Sequence, residues 1–459
     1  MLSLLSILCV VKLLLCEIIM ARIFISFEST SLSEEESDLI SSELGKEWVA
    51  GVVIFRENIY PDPIETLSHD LRVTPQEHLS FQTTLLNNLG YKRLTPALLR
   101  TLTLENISFL ANNQRSINTL QVALDKCQQQ FDSNKIHQQL ISFVNSVLSI
   151  NPNLLIAIDE EGGYVQRTEH IETLARLPSA KELGIKYEKN KHEGLKELET
   201  YALDCVQNLR NIADINFAPC VDIEDEICPI ISQLERAFSS NIDTLEICAH
   251  KILETFAANG LIGCTKHWPG HGRTEKDTHK RGHVIDRRSA EDILKEAEPY
   301  LGIHSPMIMT NHVCYPEFNQ EKTDLPACYR KDIIGTLKKS LPDSLIITDC
   351  LNMGTLSEFD PTVSNQPSIE TLAHRIERSL ASGHDIAMLT HQPALVMNKI
   401  LINLVKKQLN PASPAPLTRM IATAQDNRKT YWKSLPTSTT QPHKTTSTEP
   451  NAPTLSIHS

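Results

Sequence analysis

Eight short apolar runs, spaced along most of the chain, constrain its fold more than any other feature. They are 23–27, 49–55, 154–158, 215–218, 261–264, 307–310, 345–348 and 386–389. Most end in a polar cluster and are followed by an amphipathic segment of helical length. Strands that alternate with helices build a parallel sheet with crossover connections. Eight such units predict a (β/α)8 TIM-like barrel, with a doubly wound open sheet as the alternative. In a barrel, chemistry collects at the C-terminal ends of the strands. The residues there are polar in run after run: Asp159, then Pro219 and Asp222, Lys266 and His267, Asn311 and His312, and Asp349.

Three stretches depart from the repeat. Residues from about 62 to 150 are polar and leucine-spaced, which predicts a helical insertion packed on the side of the barrel. From Lys433 the chain becomes Ser, Thr, Pro and His with almost no aliphatic residues. Such a segment cannot offset its ordering entropy, so 433–459 is expected to be a disordered tail. Residues 1–20 are apolar apart from Lys12 and Glu17, and they lack a basic n-region and a small-residue cleavage site. They are expected to be an extension upstream of a start at Met20; a membrane anchor or a cleaved signal are the alternatives. The barrel domain is then 21–432.

Bulk properties narrow the partners. With 44 basic and 56 acidic residues the net charge is −12, the wrong sign for a nucleic-acid footprint. Eleven cysteines occur singly, with no C-x-x-C pair, and are expected to be reduced, mostly buried thiols of a cytoplasmic protein. Membrane contact is expected only through residues 1–20.

The segment Lys266-His-Trp-Pro-Gly-His-Gly-Arg-Thr-Glu-Lys-Asp-Thr-His279 follows the fifth run. Pro269, Gly270 and Gly272 break regular structure, so a rigid strand end carries a loop with reactive groups. A histidine, whose ordinary pKa is about 6.5, can give and take a proton at neutral pH, and His279 has Asp277 two positions away to orient its ring. Asp349, at the end of the seventh run, suits a nucleophile, a base or a helix cap. His267, His271, Asp277, His279 and His283 are dense enough to suggest zinc. They lack the helical His-x-x-x-His presentation, however, and no metal or other cofactor is expected.

Taken together, these segments resemble the family 3 glycoside hydrolases, in their β-N-acetylglucosaminidase branch, over about 22–62 and 150–425. The resemblance implies a retaining exo-enzyme that removes terminal β-linked N-acetylglucosamine from small glycosides or muropeptides in cell-wall recycling. Thr348-Asp-Cys-Leu-Asn-Met353 is similar to the nucleophile motif, which makes Asp349 the attacking carboxylate. Asp277 and His279 match the acid/base dyad. Ile158-Asp-Glu-Glu-Gly-Gly-Tyr-Val-Gln-Arg167 implies Asp159 and Arg167 as sugar contacts. Asn216 to Asp222 with Glu235 to Ser239 adds Arg236, and Lys266 and His267 complete the set. Tyr164 stands where the family usually has arginine, and the acidic stretch 222–226 is expected to affect the leaving-group side. N-acetylglucosaminide phosphorolysis and a non-catalytic sugar-binding role are the alternatives.

Overall fold

The structure is a computed structural model. It describes residues 23–432 apart from 28–29, 61, 75–76, 90–93, 95, 112–116, 319–322, 361–366 and 408–414. The expectations for residues 1–20 and for the tail lie outside the described residues. Each apolar run forms a strand: β1 (Ile23–Ile25), β2 (Val49–Ile54), β3 (Leu155–Ile158), β4 (Ile215–Asn216), β5 (Ile262–Trp268), β6 (Met307–Thr310), β7 (Leu345–Cys350) and β8 (Ile386–Met388). All neighbours pair in parallel, in chain order, and β1 pairs with β8, so the sheet closes into a barrel. This excludes the open-sheet alternative. Closure also explains why the runs are apolar throughout, since each strand is covered on both faces.

The two faces sort the side chains by alternation. Phe24, Val53, Leu155, Ile215, Cys264, Met309 and Ile347 fill the barrel interior. Residues such as Ile25, Val52, Ile156, Ile308 and Ile346 face the helices. The helix Ala415–Asn427 closes the interior from one end. Its Leu417, Met420, Ile421 and Ala424 lie one turn apart along a single stripe and join the interior cluster. The adjoining residues show which end this is. Arg428 donates to the carbonyls of Pro152 (3.0 Å) and Leu154 (2.5 Å) and to Asp214, and Asn427 donates to the Gly260 carbonyl (2.9 Å). All these partners precede strands, so the helix plugs the N-terminal end and leaves the C-terminal rim open.

Crossover helices wrap the outside, among them Lys191–Leu209, Ile242–Ala258, Lys331–Ser340 and Ile369–Ala381. Between β2 and β3 the chain forms further helices, of which the longest are Ile117–Gln130 and Ser133–Ile150. The second buries Ile136, Leu140, Phe143, Val144 and Val147, a helical stripe that carries the chain back to the barrel wall. Among the described residues no helix is long and apolar enough to cross a membrane. Nine described cysteines are free thiols, eight of them buried, in line with the absence of a spacing motif.

Candidate active site

One chain of ionic contacts occupies the rim at β3 and β5. β3 ends at Asp159, whose carboxylate accepts from Lys266 Nζ (2.7 Å) and from Arg167 Nη2 (3.2 Å). Lys266 also reaches Glu161 (2.5 Å), and Glu161 receives Arg236 through Nε and Nη2, both at 2.9 Å. The bidentate geometry fixes the guanidinium plane. Burial alone would raise the Asp159 and Glu161 pKa values, but the adjacent cations outweigh it and hold both carboxyls ionised. Burial would likewise strip the proton from Lys266; Asp159 and Glu161 overcome that and push its pKa up. The result is a preformed, charged, hydrogen-bonding floor with no need to reorganise around a polar ligand.

His267 joins this floor to a second buried carboxylate. Arg236 Nη2 lies 3.3 Å from His267 Nε2, and an arginine can only donate, so Nε2 is the acceptor nitrogen. The ring proton therefore sits on Nδ1, which donates to Asp222 at 2.6 Å. Asp222 also accepts from Tyr300 Oη (2.9 Å) and from the backbone N–H of His271 (2.7 Å). It anchors both the end of β5 and the start of the following loop. The acidic stretch 222–226 is otherwise occupied: Glu224 pairs with Lys181 at 2.7 Å and Asp225 with Arg273 at 2.5 Å.

The loop after β5 is held at several points. Asn311 Nδ2 donates to the carbonyls of His267 (3.0 Å) and Gly270 (3.1 Å). The buried His271 ring lies 2.8 Å from Thr274 Oγ1 and 3.2 Å from Thr278 Oγ1, bracing the turn from within. Its pKa falls to about 4, chiefly through burial, so it stays neutral. Gly272 is required here, because a Cβ would come within 1.9 Å of the Ile223 carbonyl oxygen. The loop then lands on the segment after β7: Gly354 N–H donates to the His279 carbonyl and Thr355 N–H to the Thr278 carbonyl, both at 3.2 Å. Thr355 Oγ1 adds a bond to the Gly282 carbonyl at 2.8 Å.

This docking brings Asp277 and His279 to the strand that carries Asp349. Asp277 Oδ1 accepts from both the backbone N–H and the ring Nδ1–H of His279, each at 2.8 Å. Nε2 is left as the nitrogen that can exchange a proton outward. The hydrogen bond to Asp277 raises the pKa of the exposed His279 ring above its ordinary value, and the charge of Asp349 adds to it. Asp349 accepts from the Cys350 N–H at 2.7 Å. Burial would raise its pKa, but the fields of His267, His312 and His279 lower it. The rim thus holds an ionised carboxylate and, on the docked loop, an imidazole whose basicity is raised.

The five loop groups considered for zinc do not converge. His271 is committed to two threonines, His279 to Asp277, and His283 packs edge-on against Phe359 at 5.0 Å between centroids. Among the described residues one other set, Cys220, Asp222 and His267, brings ligand atoms within 4.8 Å of one another. It does not fit a cation. Asp222 already accepts from Tyr300, two backbone N–H groups, the His267 ring and the Cys220 thiol, which exhausts its lone pairs. Arg236 beside His267 adds a repelling charge.

Sequence reasoning missed Glu161, which links Lys266 to Arg236. A signal was present: in an extended chain Asp159 and Glu161 share a face, and Glu160 between them points away. Glu160 indeed turns into the protein, where Gln166 and Thr168 hold it and burial raises its pKa. Asp222 was noted at the rim without a partner. Asn311 was likewise noted only for its place at the rim, and Tyr300 and Thr355 carried no signal, since each acts across a tertiary contact. β5 also runs through Lys266, His267 and Trp268 before Pro269 ends it, further than the apolar run reached.

The glycosyl hydrolase family 3 N-terminal domain matches residues 110–415. The β-hexosaminidase of Chromobacterium violaceum is 29% identical over 248 residues, covering 53% of this chain and 64% of that protein. The β-hexosaminidase of Hydrogenovibrio crunogenus is 29% identical over 276 residues, covering 59% of this chain and 72% of that one. The chain therefore spans less than two thirds of the first of these relatives. Among solved structures, NagZ from Neisseria gonorrhoeae, in complex with N-trifluoroacetyl-D-glucosamine, superposes with a TM-score of 0.61 over 91% of this chain and 95% of that one, at 18% identity. That likeness concerns the fold.

Proposed function

The chain belongs to glycoside hydrolase family 3, and from that premise we propose that it is a retaining exo-β-N-acetylglucosaminidase acting on small glycosides or muropeptides. The observation that carries the proposal is the docking of the Asp277–His279 pair beside Asp349 through Gly354 and Thr355. The name borne by the Chromobacterium and Hydrogenovibrio relatives, β-hexosaminidase, supports the choice of sugar.

In the first step Asp349 attacks the anomeric carbon. The bond to the leaving oxygen breaks as that oxygen takes the proton from His279 Nε2. The products are a glycosyl-aspartate and a neutral imidazole. In the second step His279 Nε2 removes a proton from water, whose oxygen attacks the same carbon and frees Asp349. Two inversions give net retention. Asp277 keeps the ring in the tautomer with Nε2 outward and stabilises the imidazolium. Asp159, Arg167, Arg236, Lys266 and His267 bind the sugar, with Asp159 accepting from its hydroxyls and Lys266 donating. Glu161 positions Lys266 and Arg236.

A chromogenic aryl β-N-acetylglucosaminide tests the activity directly. Asp349→Asn should abolish turnover and leave sugar binding largely intact, and a fluorinated sugar should label the peptide containing Asp349. Absence of turnover by the wild-type protein, with sugar binding retained, would reduce the chain to a binding protein. Substantial activity in Asp349→Asn would remove that residue from the nucleophile role.

A further inference from the structure

The turn that seats the loop after β5 is itself held from the outer layer of the barrel. Arg375 stands on the buried stripe of the helix Ile369–Ala381 and is 1% exposed. A charge there is an exception, since Leu372, Ala373 and Ile376 are what a core-facing stripe ordinarily carries. Its guanidinium grips both ends of the segment that follows β7. Nη1 donates to the Leu351 carbonyl at 2.7 Å, two residues beyond Asp349. Nε and Nη2 donate to the two carboxylate oxygens of Asp360 at 2.9 and 2.5 Å, and Nη2 also lies 3.4 Å from Ser357 Oγ. One turn further along the helix, Arg378 Nη1 donates to the Phe359 carbonyl at 3.3 Å. Between these grips lie the groups that meet the loop: the Gly354 and Thr355 N–H groups on the His279 and Thr278 carbonyls, and the Phe359 ring against His283.

Stability alone does not account for the ion pair. The Asp360 side chain is 7% exposed, so both charges are withdrawn from water, and well-packed apolar residues serve a core as well or better. What a bidentate pair adds is a fixed plane and direction. The strand end does not need that help. Met388 N–H donates to Thr348 Oγ1 at 2.9 Å and Leu351 N–H to the Met388 carbonyl at 2.8 Å, so the barrel register holds the chain on either side of Asp349. The part beyond it is a 3-10 helix, Gly354–Phe359, longer than such helices usually run and with the weaker hydrogen-bond geometry of that form. That is the part Arg375 brackets.

We propose that Arg375 is a positioning residue for the proposed acid/base: by clamping Leu351 and Asp360 it fixes the turn on which the loop bearing Asp277 and His279 is seated. The proposal rests on the glycosidase reading above. In this role Arg375 touches neither the sugar nor the reacting atoms and acts only through the backbone of Gly354 and Thr355.

The test turns on which substrates suffer. Arg375→Lys keeps a cation opposite Asp360 but cannot hold both carboxylate oxygens and the Leu351 carbonyl from one plane. On glycosides with sugar leaving groups, which need the proton of His279, kcat/KM should fall about tenfold or more. On aryl glycosides of acidic phenols kcat/KM reports a first step that needs little proton donation and should stay within about threefold, while azide should raise kcat. The affinity for free N-acetylglucosamine should match the wild type. In an H279A background R375K should change kcat/KM by less than about twofold on either substrate class. Asp360→Asn keeps the shape and removes the charge that orients the guanidinium; it should show the same pattern and decides the matter if R375K does not fold. Equal losses on both substrate classes, no loss on either, or a loss that persists in full in the H279A background would overturn the inference. A wild-type protein without turnover counts against the glycosidase reading alone, and amide hydrogen exchange then carries the test. The Gly354 and Thr355 N–H groups should exchange about tenfold faster or more in R375K, with the Leu351 N–H unchanged. Equal exchange of Gly354 and Thr355 in both proteins would sink the positioning role.

Discussion

In the proposed mechanism a proton on His279 Nε2 matters most when the departing oxygen is least able to leave on its own. His279→Ala should therefore slow glycosides with sugar leaving groups by about 10²–10⁴-fold, and slow aryl glycosides of acidic phenols far less. For the latter the second step becomes limiting, and azide, which needs no base, should restore the rate. Equal losses on both substrate types, with no effect of azide, would remove His279 from the acid/base role; Glu275 in the same loop would be the next group to test. The pH profile gives an independent reading. Asp277 raises the His279 pKa, so the protonated acid survives above the ordinary imidazole value of about 6.5, and the alkaline limb of kcat/KM should lie above it. Asp277→Asn removes the raising contact, and the limb should move to lower pH. Asp349 titrates in the opposite sense. Its pKa is lowered against the effect of burial, so the acidic limb, where the proposed nucleophile becomes protonated, should fall below the usual carboxylate value of about 3.9. These residues were legible because each is a reactive side chain within a long ordered motif. Glu161 was not, because its partners Lys266 and Arg236 come from distant parts of the chain.

At the scale of the element, the proposed mechanism requires the loop after β5 to be seated, and its seat is the turn after β7. A Cβ on Gly354 would come within 2.5 Å of the His279 carbonyl oxygen and 2.8 Å of the Lys280 carbonyl carbon. These are backbone atoms, which cannot swing aside. Gly354→Ala should therefore unseat the loop and leave the proposed sugar-binding floor unchanged. The expected result is a fall in kcat of at least about tenfold, since small misplacements of a catalytic group are costly, with little change in the affinity for free N-acetylglucosamine. Thr355→Val should show a milder version, because it removes only the side-chain bond to Gly282. Unchanged kcat in Gly354→Ala would mean that the loop docks elsewhere during turnover. This contact also shows where sequence reading stopped. The glycines and proline of the loop announced an irregular segment, but its destination depends on the closure of the barrel, which brings β5 and β7 to the same rim. The positions of the strands were legible from apolar runs alone. The Glu160–Gly162 and Val165–Gln166 hairpin was not, since neither arm is apolar.

The whole molecule separates chemistry from closure. Every candidate catalytic group stands at the C-terminal rim, and the helix Ala415–Asn427 seals the opposite end. Arg428, just beyond that helix, spans Asp214 and the carbonyls of Pro152 and Leu154, so one guanidinium ties the plug to the chain entering β3 and β4. Asp214 is 2% exposed, and its Oδ2 also accepts from the Ile156 N–H at 2.8 Å. Arg428→Ala would leave a buried carboxylate without its cation, which typically costs about 3–5 kcal/mol. The expected outcome is a large drop in denaturant midpoint, with kcat and KM of the folded fraction within about twofold of wild type, because in a barrel the N-terminal face serves stability. Asp214→Asn should restore part of the stability in the Arg428→Ala background, since the neutral amide needs no counter-charge, and a double-mutant cycle would measure the coupling. If instead Arg428→Ala lowered kcat at unchanged stability, the two ends of the barrel would be mechanically linked. The assignment of function to the rim alone would then have to be given up.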